Sequence, residues 1–178
     1  MRVKPRRWRG FTLIELLLVI SILSILMGFL FTSLRAVRRY SREMSTRTEL
    51  ANLEAAFRLY HDHYGQWPVD DYDLSESRVL IDEDVINTLA GKPDMPLNPD
   101  QIPFFEIFRV GTVEGKKAAI NAWGESYGKP YYAKFDVDGD NTLILPEGGE
   151  INRSVIVWTE HPERKTDSET KYLGSWQQ

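Results

Sequence analysis

The chain has 178 residues, with 22 Lys and Arg against 26 Asp and Glu, and no cysteine. That length allows one globular domain beside a membrane segment, and not comfortably two. The acidic balance does not mark a nucleic-acid binder, and the lack of Cys excludes a disulfide scaffold, a thiolate zinc site and a cysteine nucleophile.

The chain opens on a basic leader, Arg2, Lys4, Arg6, Arg7 and Arg9, that holds no acid. Gly10-Phe11-Thr12-Leu13-Ile14-Glu15-Leu16-Leu17 follows, and the run from Leu16 to Leu34 is uncharged. As a helix those 19 residues span about 28 Å, close to the thickness of a bilayer core. A carboxylate such as Glu15 costs about 2.5–3.5 kcal/mol at a bilayer centre, so its place in an apolar run needs a cause. A secretory signal peptide has a shorter apolar core without an acid, and small residues after that core. Charge alone favours a cytoplasmic N-terminus only slightly, because Arg35, Arg38, Arg39 and Arg42 follow the span.

Gly10 followed by Phe-Thr-Leu-Ile-Glu-Leu resembles the class III signal of type IV pilins and of the pseudopilins of type II secretion. The resemblance implies that a prepilin peptidase cuts between Gly10 and Phe11 on the cytoplasmic side, and that the new N-terminal Phe11 is methylated. It implies that the apolar helix is kept as a filament core and that Glu15 of one subunit meets the Phe11 amine of the next. The N-terminus is then cytoplasmic and the head periplasmic, in a single-pass inner-membrane protein that later enters a periplasmic or surface filament. Removing the leader leaves 17 basic residues against 26 acids, a formal charge of −9.

Spacing predicts one helix from about Thr12 to His63. In its second half Leu50, Leu53, Phe57, Tyr60 and Tyr64 recur at steps of three and four, an apolar stripe for a core, with Arg47, Glu49, Asn52, Glu54 and Arg58 largely off it. Gly65 and Pro68 in Tyr64-Gly65-Gln66-Trp67-Pro68 end the helix, an ending similar to that of the major pseudopilins. A short helix is expected over Asp82–Leu89, and an irregular path through Pro93, Pro96 and Pro99. Strands are expected at Ile102–Val110, Pro130–Phe135 (Tyr131, Ala133 and Phe135 on one face), Thr142–Leu145 and Ser154–Trp158. Residues 111–129 read as a loop, and the tail from Glu160 as polar. The fold class is α+β: a long N-terminal helix on a small antiparallel sheet. The organisation is a leader at 1–10, a membrane or filament-core helix at 11–34, an amphipathic helix at 35–64 and a β-rich head at 65–178.

Asp136-Val137-Asp138-Gly139-Asp140-Asn141 sets three carboxylates at alternate positions around a glycine. Calcium takes six to eight oxygens, so Asp136, Asp138 and Asp140 are candidate ligands; the alternative is a solvated hairpin turn. EF-hand spacing fits these three, but Asn141 stands at the sixth place, Glu147 at the twelfth, and strands flank the loop, which argues against that motif. Trp123-Gly124, Lys129-Pro130-Tyr131 and the Asp-rich loop resemble the calcium-loop region of the major pseudopilins, where calcium orders the loop. Here Glu125-Ser126-Tyr127-Gly128 is inserted, and Ser24 and Thr32 stand where family pilins often have a helix-loosening Gly and Pro. His61 and His63 point to different helix faces, and His161 lies in the tail; no metal site is expected from them.

The reading is a structural subunit of a type II secretion pseudopilus or a type IV pilus, not an enzyme. Its expected partners are further copies in a filament, other pilins or pseudopilins, prepilin peptidase, an inner-membrane assembly platform and, before assembly, lipid. A membrane-anchored envelope binding module and an anchored hydrolase acting through the Asp-rich loop are the other classes.

Overall fold

The structure, a computed structural model, describes residues 12–70, 74, 78–106, 109–124, 126–162 and 171–177. Two compact units are present, Met1–Ser41 and Arg42–Gln178. Helix α1 runs over Leu13–Tyr64 without a break, in agreement with the sequence periodicity. Ser21 and Ser24 donate their hydroxyls to the carbonyls of Leu17 and Ile20 at 2.8 and 2.7 Å, so their polar groups are satisfied within the helix. In the first unit the described large apolar side chains from Leu13 to Leu34 are exposed, at 41–78%.

The second unit is α+β. Gly65 ends α1 at φ 69°, the left-handed conformation expected of it, with its N–H on His61 O at 2.8 Å. After β1 (Val79–Leu80), helix α2 spans Glu83–Leu89 and is capped by Asp82, whose carboxylate accepts from the Val85 N–H. The segment to residue 103 is irregular and held by Asn98. The Asn98 amide donates to Thr88 O and Ile102 O, and its carbonyl accepts from the Tyr64 hydroxyl and the Ile102 N–H. Four contacts satisfy a fully buried amide.

Seven further strands follow: β2 (Val110–Val113), β3 (Lys116–Ala119), β4 (Tyr131–Phe135), β5 (Thr142–Ile144), β6 (Glu150–Asn152), β7 (Val155–Glu160) and β8 (Tyr172–Gly174). The main sheet is antiparallel in the order β1-β4-β7-β8, with Tyr131 opposite Thr159 and Trp158 opposite Gly174. β2–β3 and β5–β6 form separate two-stranded sheets.

Three readings are corrected here. Residues 102–106 are not a strand. Part of the expected loop 111–129 is the β2–β3 hairpin, whose two turn residues Glu114 and Gly115 both take positive φ. The tail contributes β8, with Leu173 and Ser175 buried.

The stripe on α1 packs on the main sheet. Leu50, Leu53, Phe57 and Tyr60 are buried, and Phe57 meets Phe135 edge-on at 5.1 Å between ring centres. Tyr131, Ala133 and Phe135 share that core, as their alternation predicts. The other sheet face carries a second cluster of Leu143, Ile156 and Trp158, with Ile151 of the β5–β6 hairpin against it. β4 and β7 therefore have apolar neighbours on both faces, which accounts for the nearly continuous apolar run in β7.

The β-rich part of the second unit is tied to α1 by buried or half-buried carboxylates. Glu49 accepts from the Arg109 guanidinium and, at 2.5 Å, from the Tyr131 hydroxyl. Burial, then the neighbouring Glu49 charge, pushes the Tyr131 hydroxyl far above the ordinary tyrosine range. Glu54, expected off the stripe, is buried; Arg153 binds both of its oxygens at 2.7 and 2.9 Å, and Arg58 one of them at 2.6 Å.

Phe57 fills the centre of this core and Leu59 is 58% exposed. Phe57→Ala should cost about 3–5 kcal/mol and Leu59→Ala less than about 0.5 kcal/mol, read by urea unfolding of the detergent-solubilised chain through tryptophan fluorescence.

Candidate assembly segment and Asp-rich loop

Gly10 and Phe11, the expected processing site, lie outside the described residues. Glu15 lies inside them, in an arrangement the sequence reading missed. Its Oε2 accepts from the Thr12 N–H at 2.9 Å and from the Thr12 hydroxyl at 2.7 Å, while its own N–H donates to Thr12 Oγ1 at 3.3 Å. This is a capping box, in which an N-cap hydroxyl and a glutamate three residues on satisfy each other's end of the helix. The signal was present as Thr12-x-x-Glu15. It supplies a cause for a carboxylate in an apolar run, because the group is hydrogen-bonded within its own helix. Both partners lie on the C-terminal side of the Gly10–Phe11 bond, so cutting there removes neither.

The second site is the connection from β4 to β5. These strands belong to different sheets, so the loop is not the hairpin turn that was its alternative reading. Its base is fixed twice: the Asp136 N–H donates to Ser154 O at 2.8 Å, and Trp67 Nε1 donates to Asp136 O at 3.0 Å. Gly139 and Asn141 adopt left-handed conformations at φ 80° and 58°, curling the chain around its own carboxylates. Asp136 accepts from the backbone N–H groups of Gly139 and Asn141 at 2.9 and 2.8 Å, and Asp140 from that of Thr142 at 2.6 Å.

One carboxylate oxygen from each of Asp136, Asp138 and Asp140 lies within 4.8 Å of the others. Two oxygens of one calcium shell stand at most about 5 Å apart, twice the usual bond length, so the three fit a hard cation of that size. Glu147 lies in the exposed β5–β6 turn and is not in the cluster. The segment inserted after Gly124 is drawn back by Gly124 O, which accepts from the N–H groups of Tyr127 and Gly128 at 3.2 and 2.5 Å. The chain then rejoins Asn121, whose side chain accepts from the Lys129 N–H at 3.2 Å.

The histidines stand apart from this loop. His61 stacks on Trp67 at 4.2 Å, and His63 faces Asp100 at 3.5 Å. His161, expected in a polar tail, is buried beside Trp123, with Nε2 at 3.9 Å from Glu43.

Residues 6–31 match the prokaryotic N-terminal methylation motif, the signature of type IV pilins and pseudopilins. No curated protein and no solved structure matches the chain.

Desolvation works against the Asp136 carboxylate, but the N–H groups of Asn141 and Gly139 outweigh it and hold the carboxyl below its ordinary value. A lowered carboxyl contributes stability above the unfolded value of about 3.9, and that contribution is lost as pH falls through the native value. In calcium-free buffer the wild type should therefore melt higher than Asp136→Asn at pH 7, and the two melting curves should converge as pH falls below about 4.

Proposed function

We propose, from the methylation motif at residues 6–31, that the chain is a structural subunit of a type II secretion pseudopilus or a type IV pilus. It is a pilin-type precursor cut between Gly10 and Phe11 by a prepilin peptidase, inserted with its N-terminus cytoplasmic, and assembled with other copies through α1. The observation that carries this reading is the pairing of that motif with the exposure of the described apolar side chains of the first unit. Apolar side chains exposed on every side of a helix demand either lipid or other apolar helices, and a subunit that moves from membrane to filament meets each in turn.

Glu15 has two roles in this reading. Within the chain it caps α1 through Thr12. Between subunits its charge meets the Phe11 amine, in surroundings where water screens little. Two substitutions separate the roles: Glu15→Gln keeps a capping acceptor and loses the charge, whereas Glu15→Ala loses both. In cells with an active prepilin peptidase, mass spectrometry should find the wild type and both variants beginning at methylated Phe11. Both variants should enter sheared filaments about tenfold less than wild type, the effect of about 1.4 kcal/mol per contact. Wild-type assembly by Glu15→Gln would confine Glu15 to the cap. An intact leader would overturn the reading as a whole.

We also propose that Asp136, Asp138 and Asp140 hold calcium in the head. A bound cation would relieve the mutual repulsion of the three carboxylates and fix the β4–β5 connection. A ligand that binds only the native state stabilises it by about 2.7 kcal/mol at a hundredfold excess over its Kd. The full chain should accordingly melt higher in calcium than in chelator, and Asp138→Ala should erase the difference. An unchanged wild-type melting temperature would leave the loop as a solvated turn.

A further inference from the structure

Between Glu15 and Glu43 the chain contains no acid, and its only charges are four arginines. Three of them, Arg35, Arg38 and Arg39, lie in the first unit, directly after the uncharged run. A helix turns about 100° per residue, so steps of three and four bring these three to one face of α1 and turn Val37 and Tyr40 to the opposite one. All five side chains are exposed. Among the described residues no carboxylate pairs with Arg35 or Arg38, and none lies within four residues of either in sequence; Arg39 has a contact of its own, and Glu43 stands four residues on.

Depth follows from length. The uncharged run covers about 28 Å of a hydrocarbon core of about 30 Å, and the headgroup layer adds about 5–7 Å on each side. Arg35 stands at the edge of that core and Arg39 about 6 Å beyond it, so the arginine face coincides with the layer of lipid phosphates. A guanidinium presents a planar fork of donors that matches two phosphate oxygens.

We infer that Arg35, Arg38 and Arg39 form a binding face for lipid phosphates in the leaflet where α1 leaves the bilayer, with a preference for anionic headgroups. The inference rests on the membrane reading above. A second copy lying parallel and in register would offer arginine against arginine, and its residues 16–42 hold no carboxylate to exchange for the phosphates. A basic side chain near an anionic surface strengthens association roughly fivefold, so three of them give a clear preference, diminished by salt.

The test uses the full chain reconstituted into phosphatidylcholine vesicles. Flotation with the vesicles and resistance to alkaline extraction come first; failure there defeats the membrane reading itself. Spin-labelled phosphatidylglycerol and phosphatidylcholine then report, by electron paramagnetic resonance, the lipid immobilised at the protein. Phosphatidylglycerol should be favoured at least about threefold at low salt, less at high salt. The triple variant Arg35→Gln/Arg38→Gln/Arg39→Gln should float as the wild type does and lose the preference, while the corresponding Lys variant should keep most of it. A Gln variant of Arg6, Arg7 and Arg9 should retain the excess that the first triple variant loses. Equal immobilisation of the two lipids by the wild type would overturn the inference. So would a preference that survives the triple variant. Loss of filament entry with unchanged lipid preference would assign the face to a neighbouring copy instead, and would overturn it as well.

Discussion

An α-helix satisfies its backbone hydrogen bonds internally, and the rest of this molecule depends on that constraint. Only such an element can expose every side to an apolar medium and then, with the same backbone, present one face to a sheet. The change from one regime to the other is written in side chains alone. Up to Leu34 they are apolar all round, with Ser21 and Ser24 folded back on the helix's own carbonyls. From Leu50 onward the apolar ones are confined to a stripe. The end of the helix is where internal satisfaction fails, and there Thr12 and Glu15 supply the missing partners.

In the second unit that stripe is flanked by carboxylates which join distant segments to the helix. Glu49 collects Arg109 and Tyr131, and Glu54 collects Arg153. The apolar contacts reward any approach of helix and sheet, whereas a carboxylate under partial burial tolerates only the register in which its donors arrive. The Asp-rich loop hangs from the same arrangement, because β4 passes directly from Phe135 in the core to Asp136 at the loop's base.

Elements with a strong period were legible in the sequence: α1 to within a residue at each end, α2 to within a residue, and the alternation of β4. The β2–β3 hairpin was missed because Lys116 and Lys117 disguise an exposed strand, although Glu114-Gly115 marks its turn. β8 was missed because three residues carry no period, and its place is decided by pairing with β7. The burial of Glu54 was invisible because it depends on Arg153, 99 residues away. In the candidate sites the carboxylate triad could be read from local spacing. The capping of Glu15 is legible in the same way, from Thr12 three residues before it.

The position of β8 bears on when the head can fold. β8 follows every other strand in chain order, yet it pairs with β7 at the heart of the sheet, and Ser175 exchanges hydrogen bonds with Val157 at 2.9 and 3.2 Å. Gly174 lies so close to the Trp176 ring that an added Cβ would stand 2.3 Å from it. A chain delivered from its N-terminus onward brings this strand after the others, and until it arrives β7 has an open edge, so closure of the sheet is a late event of folding.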